Sequence, residues 1–207
     1  MTETLDDPRP ALAAAYDAAA DDRERGDVAA WKADERTRFL ARLRADGART
    51  LLELGAGTGV HGRWFADQGL NVTATDLSPV MVEHCRAKGL TAVQMDMQSL
   101  AFATPFDAVF AMNCLLHVPN AQLPMVLERI AGVIRPGALG FLGQWSGQGD
   151  EGPWAGDNYE PKRFFSFRTD AVLQRALAPH FTIVDLRREP YGGNAAIPFQ
   201  SATVRRR

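Results

Sequence analysis

Leu51-Leu52-Glu53-Leu54-Gly55-Ala56-Gly57-Thr58-Gly59 is the stretch that decides how this chain folds. A short apolar run carries an acid near its end, then breaks into a glycine loop that leads into an amphipathic segment. Glycines let backbone N–H groups approach a ligand closely, and a helix starting there offers unpaired donors at its positive dipole end. The spacing Gly57-x-Gly59-x-x-Gly62 also satisfies a pyrophosphate-loop pattern. Glu53, two residues before the first glycine, and the order of motifs downstream decide between the two.

Outward from this point, apolar runs alternate with helical patterns. Helices are expected over 10–25 and over about 29–45, the second with Trp31, Phe39, Leu40 and Leu43 at helical spacing. Strands are expected near 50–54, 71–75, 91–95, 106–112 and 138–145, with two more near 181–187 and 198–204. Between them lie helices from the glycine loop to Asp67, from Ser78-Pro79 to about Lys88, from about Asn120 to Ile134, and near 169–178. Ser78 followed by Pro79 reads as an N-cap with proline in the first turn. The stretch 146–166 reads as irregular. Such alternation implies a doubly wound α/β fold, its sheet mainly parallel and covered on both faces. Ligands of such sheets bind beyond the carboxyl ends of the strands. The first four strands end at Gly55–Gly57, Asp76, Asp96 and Asn113, so these positions converge on one rim.

The constellation resembles the class I S-adenosylmethionine-dependent methyltransferases of the small-molecule type, over roughly residues 45–145. The resemblance implies a Rossmann-like, seven-stranded sheet flanked by helices, with S-adenosyl-L-methionine as cofactor and S-adenosyl-L-homocysteine as product. It implies one domain over 1–207: a helical lid at 1–46, a cofactor-binding core at 47–145, and an acceptor-side loop with a C-terminal α/β segment at 146–207. Glu53-Leu-Gly55-Ala56-Gly57-Thr-Gly59 resembles the motif that passes under the cofactor's methionine part, with Glu53 where many relatives carry Asp. Asp76 resembles the acid that grips the ribose hydroxyls, with Leu77 packing on adenine. Asp96 and Met97 resemble the pair that reads the adenine edge. Phe106 to Pro119 resembles the motif facing both cofactor and acceptor, with Asn113 as a ligand contact. Ile134-Arg-Pro-Gly137 resembles the turn into the fifth strand.

Plainer roles stand beside these. Asp76 and Asp96 are also placed to cap the turns after them, and Asn113 to be a satisfied buried amide. Methyl transfer from a sulfonium needs mainly alignment in a dry pocket, and a base only where the acceptor still holds its proton. His117 is the candidate base, with capping or packing as the alternative. His61, in the first turn after the glycine loop, is expected to pack, with a place lining the cofactor's methionine end as the alternative. Tyr16, Trp31 and Arg36 fall on the expected lid, where Tyr16 or Arg36 is a candidate for the cofactor carboxylate. Acceptor choice is expected in 146–166, where Trp154, Tyr159 and Phe164–Phe167 suit an aromatic or amphipathic small molecule and Arg163 an anionic or carbonyl group.

Composition narrows the field. The 207 residues are 46% hydrophobic and 23% charged with a net charge of −2, which gives no electrostatic footprint for nucleic acid or an anionic membrane. Arg205-Arg206-Arg207 reads as a solvated tail, and the N-terminal Thr2 to Asp7 as no secretory signal. No stretch reaches the length of a membrane helix. Cys85 and Cys114 have neither disulfide-framework nor metal-ligand spacing, so reduced thiols in the cytoplasm and no metal are expected. A nicotinamide-dependent oxidoreductase is one alternative, since Asp76 lies 21 residues after Gly55, but no Tyr-x-x-x-Lys pair is present. A non-catalytic cofactor-binding protein is the other. Oligomeric state and acceptor identity stay open.

Overall fold

In the computed structural model, which describes residues 7–190 and 197–207, β1 (Thr50–Leu54) is the hinge of the sheet. It pairs in parallel with β2 (Asn71–Asp76) on one side and β4 (Phe106–Met112) on the other, Leu52 standing opposite both Thr73 and Val109. β3 (Thr91–Gln94) extends the β2 side, and β5 (Ile134–Trp145) extends the β4 side. β9 (Phe199–Arg206) then joins β5 antiparallel, and β8 (Phe181–Glu189) joins β9 antiparallel. The order is β3-β2-β1-β4-β5-β9-β8, a seven-stranded, mainly parallel sheet as the alternation predicts. Strand order reverses between β1 and β4, which puts the binding crevice at their carboxyl ends.

Period-two alternation assigns β1 to two cores. Leu52 and Leu54 pack with Val126, Leu127 and Ile130 of α6 (Leu123–Gly132) and Leu173 and Leu177 of α7 (Asp170–Leu177). Leu51 faces the other way, with Phe39, Leu40 and Leu43 of α3 (Ala30–Ala45), Phe65 of α4 (Val60–Asp67) and Val82 of α5 (Pro79–Ala87). Each such leucine or phenylalanine contributes about 1.5–3 kcal/mol by leaving water. The same alternation turns Glu53 to the Leu51 face, under α4.

Local signals hold where capping chemistry sets them. Met81 N–H donates to Ser78 Oγ at 3.0 Å, capping α5. Other expectations shift. The helix expected over 10–25 is two, α1 (Arg9–Ala18) and α2 (Ala20–Arg25), broken at Ala19. α6 starts at Leu123 rather than Asn120, with Pro124 in its first turn, where a missing N–H has no cost. β5 starts at Ile134 rather than 138 and takes Pro136 and Gly137 in through a break in its register with β4. The stretch 146–166 holds a two-stranded ribbon, β6 (Glu151–Pro153) and β7 (Phe164–Ser166). The acidic run at Thr2 to Asp6 lies outside the described residues. No helix among those described is long and apolar enough to cross a membrane.

Candidate active site

The glycine loop between β1 and α4 runs over a cavity of about 650 Å³ whose rim includes Gly55, Gly57, Asp76, Asp96 and Asn113. Gly57 has φ 56°, a conformation that side-chain-bearing residues rarely adopt, and its N–H donates to Asp76 Oδ2 at 2.8 Å. Ser78 N–H donates to Asp76 Oδ1 at 2.9 Å. The carboxylate is thereby fixed in direction, with lone pairs left on both oxygens. Burial raises its pKa, against the pull of the Ser78 and Gly57 N–H groups. Leu77 and Met97 line the cavity beside it.

Asp96 does cap the turn after it, its Oδ1 accepting from Gln98 N–H at 3.0 Å. Its Oδ2 accepts from Arg9 Nη1 at 2.5 Å, so the first helix is tied to this rim. Asn113 has φ 57°, the one left-handed non-glycine residue among those described, and its buried Oδ1 has no partner. Such a conformation costs about 1–2 kcal/mol and concentrates at functional sites.

Glu53 sits behind the loop, 2% exposed, with Oε2 unpaired. Burial, then the charge of Asp76, push its carboxyl up to about 8; the Gly62 N–H and Arg36 act the other way. A Cβ on Gly62 would lie 2.3 Å from Glu53 Oε2. The third glycine of the pyrophosphate-like spacing therefore makes room for this acid.

His117 is buried in the turn after β4. Its Nδ1 lies 2.7 Å from the Phe164 carbonyl and its Nε2 2.8 Å from the Tyr16 hydroxyl. Burial, with Arg163 and Arg23 adding to it, pushes the imidazole down to about 4. The turn is held by Arg168, fully buried, which donates to the carbonyls of Leu115 (2.8 Å) and Val118 and to Asn120 Oδ1 (2.8 Å). Nothing in the sequence singled out Arg168.

On the facing wall, Phe165 and Phe167 stack at 5.3 Å and 7°, with Trp154 edge-on to both. Arg163, expected to meet the acceptor, lines the cavity; it also pairs with Asp157 at 2.6 Å, donates to Tyr16 Oη at 3.0 Å and stacks 3.6 Å from the Tyr159 ring centre. Arg36 is not at the mouth; its guanidinium lies 4.6 Å over the Trp64 ring. Trp31 packs against Trp145 and Phe199. His61 lines the cavity with Nδ1 unpaired and is pushed down to about 3, by burial first and then by Arg36, Lys32 and Arg23. Arg23 and Lys32 line the cavity without an acidic partner among the described residues; the helical reading of 10–45 gave no signal for them. No cluster among the described residues has the makings of a metal site.

A family model described as a methyltransferase domain matches residues 51–137, the span from β1 through β4 to the start of β5. This stretch, less than half of the chain, is similar to a methyltransferase domain. Curated relatives of this chain include the ubiquinone biosynthesis O-methyltransferases of Xylella fastidiosa strain 9a5c, 33% identical over 109 residues, and Xanthomonas campestris pv. campestris strain B100, 38% identical over 110. Each alignment covers 49% of this chain and 43% or 45% of the relative, so the chain spans less than half the length of those relatives. Among solved structures, the Burkholderia thailandensis 1,6-didemethyltoxoflavin-N1-methyltransferase, bound to 1,6-didemethyltoxoflavin and S-adenosylhomocysteine, superposes with TM-score 0.75 at 24% identity, over 100% of this chain and 93% of that one. Magnesium protoporphyrin IX methyltransferase from Synechocystis PCC 6803 superposes with TM-score 0.72 at 17% identity over both full chains. These likenesses show that the fold these structures share extends beyond the matched span to the N-terminal helices and to β8 and β9.

Proposed function

We propose that this chain transfers the methyl group of S-adenosyl-L-methionine to a small, planar acceptor, leaving S-adenosyl-L-homocysteine. The reading rests on one arrangement: a glycine loop and two carboxylates, Asp76 and Asp96, share the rim of one cavity with Asn113, whose Oδ1 is buried and unpaired. Asp76 offers two oxygens to the ribose diol, and Asp96 with Met97 suits the adenine edge, Leu77 its face. Gly55, Ala56 and Gly57 pass beneath the methionine part, with Glu53 bracing the loop from behind. Arg23, whose guanidinium lies 3.6 Å from where a Gly57 Cβ would stand, and Lys32 supply cations for the cofactor carboxylate in place of Tyr16 or Arg36. When bound, the cofactor supplies a methyl group already activated by its sulfonium, so the chain has to bind, align and exclude water.

The aromatic wall of Trp154, Phe165 and Phe167 favours an acceptor with a flat apolar face, and its nearness to His117 favours oxygen or nitrogen as the methylated atom. The 1,6-didemethyltoxoflavin bound by the Burkholderia enzyme is itself a small molecule. Cys85 and Cys114 are buried free thiols, in keeping with the cytoplasm. The deciding experiment is calorimetric titration with S-adenosylhomocysteine, with NAD and NADP as controls. Micromolar binding of the first alone is expected; binding of a nicotinamide cofactor alone would make this an oxidoreductase.

A further inference from the structure

The hydrogen positions around His117 are set by what each neighbour is able to do. A carbonyl only accepts, so Nδ1, 2.7 Å from Phe164 O, carries a hydrogen. The imidazole is held neutral, so Nε2 is a bare lone pair that accepts from the Tyr16 hydroxyl at 2.8 Å. Arg163 Nη1 donates to the same phenolic oxygen at 3.0 Å. The Tyr16 oxygen thus has its hydrogen committed to His117 and one lone pair committed to Arg163. One lone pair is left, and Tyr16 lines the cavity with Phe165 and Phe167.

We propose that Tyr16 is a catalytic residue that accepts the proton of the acceptor's O–H or ring N–H, with His117 behind it as the positioning residue that turns its free lone pair to the cavity. The inference rests on the methyl-transfer reading above and narrows the acceptor to a protic aromatic. One O–H bond forms at Tyr16 as its own breaks, and an N–H bond forms at His117 Nε2. The electron pair of the acceptor's broken bond stays on the acceptor atom, which is the pair the methyl donor takes up. Of the charges facing this pair, Arg163 and Arg23, 5.2 and 5.3 Å from the Tyr16 ring centre, favour negative charge on its oxygen and oppose positive charge on His117, while Asp157, paired to Arg163, favours a charged His117 and Asp76 opposes negative charge on Tyr16. His117 alone could not receive this proton from the acceptor, because its Nε2 is covered by Tyr16.

The test compares 2-naphthol with 2-methoxynaphthalene, which has the same ring and no proton to donate, by fluorescence titration with and without S-adenosylhomocysteine. The wild type is expected to bind the naphthol about three- to tenfold more tightly, the worth of one hydrogen bond. Tyr16→Phe abolishes the preference. His117→Leu also abolishes it, because the freed Tyr16 hydroxyl then donates to either probe's oxygen, whereas His117→Gln keeps an acceptor behind Tyr16 and retains it. Retained S-adenosylhomocysteine affinity certifies that each variant is folded. A preference that survives Tyr16→Phe, or is missing from the wild type, overturns the proposal, as does failure of both probes to bind. Failure of S-adenosylhomocysteine to bind the wild type instead sinks the methyl-transfer reading, while the probe comparison still judges Tyr16.

Discussion

Glu53 and Asp76 are two acids at neighbouring strand ends with opposite duties. Glu53 is held protonated in the fold, with a pKa near 8, but ionises above about 4.5 once unfolded. Its contribution to stability is therefore complete below pH 4.5 and is lost as pH rises through about 8. Urea titrations should find Glu53→Gln equal to the wild type near pH 4.5 and more stable than it near pH 9; parallel curves would mean Glu53 is ionised in place. Asp76→Ala should lower S-adenosylhomocysteine affinity by about 100-fold, the scale of two charge-assisted hydrogen bonds. Losing the partners of Gly57 and Ser78 N–H costs about 1–3 kcal/mol more in stability, so the variant still folds. Normal affinity in a folded variant would contradict the ribose role. Both acids were legible in the sequence because each ends a strand before a loop. Arg9, Arg23 and Lys32 were not, since a basic residue on a surface helix looks the same whether it meets solvent or a cavity.

At the scale of elements, α4 and the turn carrying His117 are each held by a contact that crosses the chain. Gly62→Ala sets a methyl 2.3 Å from Glu53 Oε2, so α4 or the acid must shift. Overpacking of this kind costs about 1–3 kcal/mol, and thermal unfolding should report it; Gly62→Ala combined with Glu53→Ser should recover most of the loss. Arg168→Met keeps the volume but strips the carbonyls of Leu115 and Val118 of their donor. A loss of about 2–4 kcal/mol is expected in chemical denaturation. Helix starts fixed by Ser78-Pro79, and strands ended by an acid or glycine, were readable because the responsible chemistry lies within four residues. The ribbon at 151–166 was not, because each of its strands pairs three residues with the other and carries no periodicity of its own.

Over the whole molecule, the N-terminal helices are fastened by charge. Arg9 meets Asp96 and Lys88 meets Glu24, each at 2.5 Å, while Ser78 Oγ donates to Asp17 at 2.5 Å. Partly exposed pairs weaken as salt shortens the Debye length from about 30 Å at 0.01 M to about 3 Å at 1 M. Amide hydrogen exchange in residues 9–25 should quicken across that range, and slow again with S-adenosylhomocysteine bound. Exchange indifferent to salt would mean these helices are held by their apolar contacts. The sequence announced an alternating α/β chain with helices at its N-terminal end. The strand order β5-β9-β8 and the pairing of Arg9 with Asp96 depend on partners distant in sequence, and no local pattern encodes them.

The place of β9 has a consequence for how the chain is made. β8 leaves the ribosome before β9, yet β9 is the strand that ties β8 to the rest of the sheet. Until residues 199–206 emerge, β5 presents a bare edge along Leu139–Trp145, and β8 has nothing to pair with. The nascent chain therefore holds a finished β3-β2-β1-β4-β5 half beside a dangling hairpin arm, and a chaperone that covers open strand edges would find its target there.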